Sequence, residues 1–279
     1  MEGLLLIDKE KDYTSRDIVN IVSKKFNTKK VGHFGTLDPL ATGLLLVGIG
    51  SYTKVGNFLL NDNKTYECEV LIGTSTDTYD ITGNILEKKD VSIDKKVLEK
   101  SLLYFKKTYM QEVPIYSAVK VNGKKLYEYA RSNTKVELPK KEVTIFDIKL
   151  LEFNNNTFKF SCNVSKGTYI RSIINDLSKE ISIPLCMKSL RRVSQDKFNV
   201  NDSYTLDDIE NNNYKLLSIE DILDLEKIEI TSDIENKVLN GNKLEYKNKD
   251  FILYTKNNKN IVLYKKDGNY MKPVLFFNK

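Results

Sequence analysis

The stretch Gly32-His33-Phe34-Gly35-Thr36-Leu37-Asp38-Pro39-Leu40-Ala41-Thr42-Gly43 carries one carboxylate, Asp38, in a segment otherwise poor in charge. Pro39 pushes the residue before it out of helical backbone. Glycines at 32, 35 and 43 permit sharp turns and close approach to a ligand. Such a loop presents one acid at a fixed angle, and an acid so presented can attack covalently, stabilise developing charge or move a proton. The same letters also read as an Asp-Pro turn ahead of a buried strand over 44–49. Metal chemistry has little to draw on. His33 is the sole histidine, and Cys68, Cys162 and Cys186 lie too far apart for ligand spacing. Asp77 and Asp80 have the look of a ligand pair but read better as strand-end and turn acids. The cysteines read as free, buried thiols of a reducing compartment.

The elements that must position Asp38 follow from periodicity. Residues 3–7 form an unbroken apolar run and predict a buried strand. Thr14 and Asp17 have capping-box spacing, ahead of a helix whose inner face is Ile18, Val19, Ile21, Val22 and Phe26. Residues 64–73 alternate, with Tyr66, Cys68, Val70 and Ile72 on one strand face. Asp94 caps a helix over 94–106 that turns Val97, Leu98, Leu102 and Phe105 inward. Residues 116–121 predict a strand entering an Asn122-Gly123 turn. A strand pair covers 142–152 and 157–164, and a helix follows over 169–181 with Ile170, Ile173, Ile174, Leu177 and Ile181 buried. The pattern is α+β, with long antiparallel strands. Residues 196–213 read as a linker holding a short helix. Past Leu225 come a short strand, a helix closed by Asn240-Gly241, and three strands over 251–255, 261–265 and 273–277.

The 279 residues are 41% hydrophobic and carry a net charge of +6, enough chain and apolar content for a true core in one large domain or in a large and a small one. No apolar run reaches the length of a membrane span, and the first one is too short for a signal peptide. Basic residues concentrate in two islands, 106–141 and 225–279, on a slightly acidic remainder. That distribution suits contacts to phosphates.

Further blocks surround the Asp38 loop. They are Gly3-Leu4-Leu5-Leu6-Ile7-Asp8-Lys9, Lys64-Thr65-Tyr66, Gly73-Thr74-Ser75-Thr76-Asp77-Thr78-Tyr79-Asp80, Gln111-Glu112-Val113-Pro114-Ile115-Tyr116-Ser117, Ser165-Lys166-Gly167-Thr168-Tyr169-Ile170-Arg171-Ser172 and Leu190-Arg191-Arg192. In type and order this series resembles the bacterial tRNA pseudouridine synthases that modify uridine 55 of the T loop. The resemblance implies a pseudouridine synthase fold, with a central mixed and largely antiparallel sheet flanked by helices. It implies a catalytic domain over 1–224 with an RNA-gripping insert near 106–141, and a short PUA-like RNA-binding domain over 225–279.

It also implies roles. Asp38 is the catalytic aspartate and Arg171 its ion-pair partner. Tyr66 stacks on a flipped-out uracil, Tyr169 contacts that base, and Leu190 is an apolar wall of the pocket. His33 wedges into the T loop by shape rather than acid–base chemistry. The isomerisation moves no electrons between redox states, so no cofactor is expected. The partner is the tRNA T stem-loop, and the protein is expected to be a cytoplasmic monomer without an obligatory protein partner. The alternatives are an RNA-folding chaperone with secondary catalysis and a synthase with another RNA target. The chain departs from the family at Val113, where a second proline is usual, at Leu185-Cys186-Met187, and at Ser194-Gln195-Asp196, which lacks a frequent glycine.

Overall fold

Two apolar runs near the start of the chain organise the fold of the computed structural model, which describes residues 1–58, 63–245 and 248–277. Strands β1 (Gly3–Lys9) and β3 (Thr42–Ile49) pair antiparallel, with Leu6 opposite Leu46. Strands apolar at every position need cover on both faces. Leu5, Ile7, Leu45 and Val47 enter one core, and Leu4, Leu6, Leu44 and Leu46 enter a second on the opposite side.

Among the described residues nine strands make the larger sheet. Besides β1 and β3 they include β2 (Val31–Phe34), β4 (Lys64–Ile72), β5 (Thr108–Glu112), β6 (Lys140–Phe153), β7 (Thr157–Val164) and β8 (Leu185–Gln195). The main path runs β1-β3-β8-β4-β7-β6-β5. Only β8 and β3 run parallel; the other neighbours on this path are antiparallel, as the sequence leads one to expect. One edge of β3 is shared. Strand β2 takes residues 46–49, and β8 takes Thr42 and Gly43. The loop bearing Asp38 crosses that division. At Gly43 (φ +99°) an added Cβ would collide with the carbonyl oxygen of Arg192, so β8 can lie this close only over glycine.

Helix α1 (Ser15–Lys25) starts at the expected capping box, Thr14 and Asp17 exchanging bonds of 3.0 and 2.8 Å. Helix α3 (Ile170–Ile181) lays Ile170, Ile173, Ile174 and Leu177 into the first core. Helix α2 (Lys95–Tyr104) is capped by Asp94 and buries Leu98 and Leu102. Val97, expected inward, is instead 51% exposed, because it stands a quarter turn off the stripe of 98, 102 and 105.

Two other expectations are corrected. Of 116–121 only Lys120–Val121 is strand, returning as Lys124–Lys125. The carbonyls of Tyr116 and Ser117 are committed to the Arg171 side chain and the Tyr127 amide, not to a ladder. The stretch 196–213 is no slack linker. Tyr204 exchanges backbone bonds with Asp8 and Leu6 along the outer edge of β1, and Phe198 and Ile209 are buried.

The last strands are β9 (Glu226–Glu229), β10 (Leu244–Glu245), β11 (Phe251–Lys256), β12 (Lys259–Asp267) and β13 (Tyr270–Phe276), in sheet order β9-β11-β12-β13-β10. One face, with Phe251, Leu253, Leu263 and Leu275, closes the second core against Leu4, Leu6, Leu44 and Leu46. The other, with Ile252, Tyr254, Val262 and Tyr264, packs on Val238 of α4 (Ser232–Leu239). Lys247 and Lys279 of the basic C-terminal island lie outside the described residues. No helix among them is long and apolar enough to cross a membrane.

Candidate active site

A cleft of about 710 Å³ opens where the Asp38 loop, β4, β8, the 116–118 segment and the start of α3 converge. Every site residue expected from the sequence lines it: His33, Asp38, Tyr66, Tyr169, Arg171 and Leu190.

Arg171 is the hub. One terminal nitrogen (Nη2) lies 2.9 Å from Asp38 Oδ2 and donates to the Tyr116 carbonyl at 3.2 Å. The other, Nη1, donates to the Thr78 carbonyl at 3.3 Å, and Nε faces Asp80 Oδ2 at 3.9 Å. Its side chain is 7% exposed while that of Asp38 is 40% exposed, so the acid faces the cleft and the base holds it from behind. A buried guanidinium needs both charge and hydrogen-bond partners, and this one has two carboxylates and two carbonyls. Asp80 is fixed in turn by Thr78 Oγ1 and the Thr82 amide, each at 2.9 Å. Asp77 accepts from the Asn84 amide at 2.8 Å, the turn role expected of it.

Tyr66 stands on the inner face of β4 and is 7% exposed, with Leu190 of β8 also reaching the cleft. Burial pushes the Tyr66 hydroxyl above its usual range, although Arg192 opposes this. Tyr169 is pushed up as well, chiefly by burial, with Ser117 and Arg171 opposing. Both phenols therefore stay protonated at neutral pH. Burial and the charges of Arg16 and Arg192 lower the His33 pKa, leaving a neutral ring in the lining of the cleft.

Sequence reasoning missed two buried cations beside the loop. Arg192, wholly buried, donates from Nε to the Leu44 carbonyl at 2.7 Å and from Nη2 to the Gly35 carbonyl at 3.0 Å. It thereby pins both ends of the loop that carries Asp38, and in the ladder it pairs with Tyr66. Lys9, also wholly buried, donates to the carbonyls of Glu10, Tyr13 and Pro39 at 2.8, 2.6 and 3.4 Å. The letters gave little signal: Arg192 follows Arg191 in a strand that also carries Lys188, and Lys9 follows Asp8 at the end of β1. The cleft thus sets an oriented carboxylate among aromatic and apolar side chains.

The backbone matches a chain from an H/ACA RNP bound to a substrate RNA containing 2′-deoxyuridine. The TM-score is 0.67 at 19% identity, over 99% of this chain and 84% of that one. A chain of an archaeal box H/ACA sRNP complex matches with TM-score 0.65 at 19% identity, over 99% and 85%. The fold is that of the pseudouridine synthases. Sequence narrows this further. Residues 23–170 match the N-terminal domain of the TruB family pseudouridylate synthases. A tRNA pseudouridine synthase B of Oceanobacillus iheyensis is 43% identical over 255 residues, 88% of this chain and 84% of its own. Another, of Mesoplasma florum, is 36% identical over 284 residues, 95% and 98% of the two chains. The chain belongs to the TruB family of pseudouridylate synthases.

Proposed function

We propose that this protein isomerises uridine 55 in the T loop of tRNA to pseudouridine, with Asp38 as the catalytic carboxylate. The observation that carries the reading is the Asp38–Arg171 pair at 2.9 Å, set in a cleft walled by Tyr66, Tyr169 and Leu190, in a chain whose relatives are named tRNA pseudouridine synthase B. The reaction breaks the bond from ribose to uracil nitrogen and remakes it to carbon 5. A target base inside a stem-loop has to leave its stack first, and an aromatic plane such as Tyr66 restores stacking worth about 1–3 kcal/mol. Leu190 closes the other side, and neutral His33 fills space that the flipped nucleotides vacate.

Arg171 pairs with the Asp38 carboxylate and fixes its rotamer. Attack on the sugar, attack on the base and proton removal all need that carboxylate held in place. The protonated hydroxyl of Tyr169 suits a hydrogen bond to the uracil or to the water that receives the carbon-5 proton. Nothing in this sequence of bonds needs a cofactor. The division of labour we assign is a catalytic domain over 1–224, an insert over 106–141 against the T arm, and a PUA-like module over 225–279. We place the protein in the cytoplasm as a monomer acting without a protein partner.

The test is to incubate the pure protein with unmodified tRNA and map pseudouridine along it. Product at position 55, lost in Asp38→Asn, is expected. Product elsewhere, or near-normal turnover by Asp38→Asn, overturns the reading.

A further inference from the structure

Tyr169 has an unusual post. It is the N-cap of α3, with φ −103° and ψ 115°, and its side chain makes no cap bond. That position ordinarily goes to Ser, Thr, Asp or Asn, whose short side chains satisfy the first helical amides. Here the side chain lines the cleft instead, so the peptide of Tyr169 must be held from elsewhere. Gln111 of β5 does this. It belongs to the segment expected to grip RNA, yet it points inward and is 1% exposed.

Its Oε1 accepts from the Tyr169 amide at 2.8 Å. Its Nε2 donates to the Tyr169 carbonyl at 3.2 Å and to the Tyr109 hydroxyl at 2.9 Å. Tyr109 in turn donates to Asp176 Oδ2 on α3 at 3.3 Å. The orientation of the amide is forced, because a backbone N–H can only donate and must meet Oε1. Gln111 thus grips both backbone polar groups of one residue, as a neighbouring strand would.

We propose that Gln111 is a positioning residue: by clamping the Tyr169 peptide it holds the Tyr169 side chain against the bound uracil, leaving RNA binding to other groups. This rests on the pseudouridine synthase reading of the cleft.

The test combines Gln111→Met, which keeps length and removes all three bonds, with separate measurements of tRNA affinity and of the single-turnover rate at saturating enzyme. Misplacing a group by about 1 Å can slow a reaction by about 100-fold. The expected result is a rate roughly 10- to 100-fold lower with affinity unchanged. In a Tyr169→Phe background, where the hydroxyl to be positioned is gone, the same change should cost less than about 3-fold. Ser172→Ala is the structural comparator, since it removes another α3-to-β5 bond, Ser172 Oγ to the Glu112 carbonyl at 2.8 Å, without touching the Tyr169 peptide. It should lower the melting temperature and leave the rate within about 2-fold.

Should Gln111→Met fail to fold, Gln111→Asn keeps an amide in place but withdraws it by one methylene, and a several-fold slower rate is expected. An unchanged rate in the folded variant overturns the inference, as does a loss confined to affinity or a full-sized penalty in the Tyr169→Phe background. The wild type runs in the same assay. A wild type that makes no pseudouridine refutes the proposed function, whereas an active wild type with an equally active Gln111 variant refutes this inference alone.

Discussion

Arg171→Lys keeps one positive charge and tests whether the planar fork matters. In the structure the guanidinium serves Asp38, the carbonyls of Thr78 and Tyr116, and Asp80 at once. A single ammonium nitrogen on a shorter stem cannot span those four positions. If it follows Asp38, the two carbonyls lose their donor. If it stays with them, Asp38 loses its partner and its fixed rotamer. A hydrogen bond to a charged group contributes about 1.5–3 kcal/mol. Losing about 2 kcal/mol of transition-state placement corresponds to a rate lower by roughly 30-fold, at about 1.4 kcal/mol per decade. Folding should survive, because the buried site keeps one positive charge between its two carboxylates, Asp38 and Asp80. The assay is the single-turnover rate with enzyme in saturating excess over tRNA, alongside equilibrium binding. A rate within 2-fold of wild type, or a defect confined to binding, refutes the claim that Arg171 orients Asp38.

Asp38→Asn should slow product formation by more than roughly 1,000-fold, since the charge that the step requires is gone, while tRNA affinity is kept; equal losses in both would instead mark a folding defect. Gly43→Ala should lower the urea midpoint and remove about 3 kcal/mol or more of stability, because φ is +99° and the Arg192 carbonyl fills the Cβ position; a midpoint like wild type would show that β8 can shift away. Burial pulls the Lys9 amine from 10.5 down to about 8, so between those values the unfolded chain binds more protons and stability rises with pH, while loss of the charged donor to the Pro39 carbonyl makes activity fall above pH 8. Lys9→Met should flatten both limbs, and profiles indifferent to that change would refute the assignment. Truncation after residue 224 uncovers Leu4, Leu6, Leu44 and Leu46 and should give an aggregating chain without a cooperative melt; a folded truncation with a normal melt would remove the structural role of the C-terminal sheet.

The strands were legible because their patterns have one physical cause each. Alternation at 64–73 means one face buried, and the unbroken runs at 4–7 and 44–49 mean two. What escaped the sequence was decided by backbone groups that side-chain letters do not print. Arg192 and Lys9 break the rule that such cations stay in water; the carbonyls of Gly35, Leu44, Glu10 and Tyr13 make their burial possible. The strand expected at 116–121 dissolved for the same reason, its carbonyls at Tyr116 and Ser117 being taken by Arg171 and by the Tyr127 amide. The missing glycine at 194–196 is met by Asp196, which itself takes φ +52°, a conformation that Asp tolerates better than most residues. The meeting of Asp38 and Arg171 was visible only through resemblance, since neither local pattern points to the other.

The C-terminal sheet shows how composition and packing can point to different roles. The eleven lysines of residues 225–279 suggest a surface for phosphates. Packing takes up both faces, one against β1 and β3 and the other against α4. Some of the charge is also committed, Lys227 to Glu220 at 2.6 Å and Lys256 to Glu235. Contact with RNA from this module therefore has to come from its rims, where Lys243 lies 5.7 Å over the ring of Tyr270 and Lys272 is exposed. Truncation reads the buried face, because it removes the cover of the second core before any phosphate contact is scored. Salt-dependent affinity with single lysines changed reads the rim. The two measurements answer different questions, and a loss of tRNA binding on truncation alone says nothing about recognition by the tail.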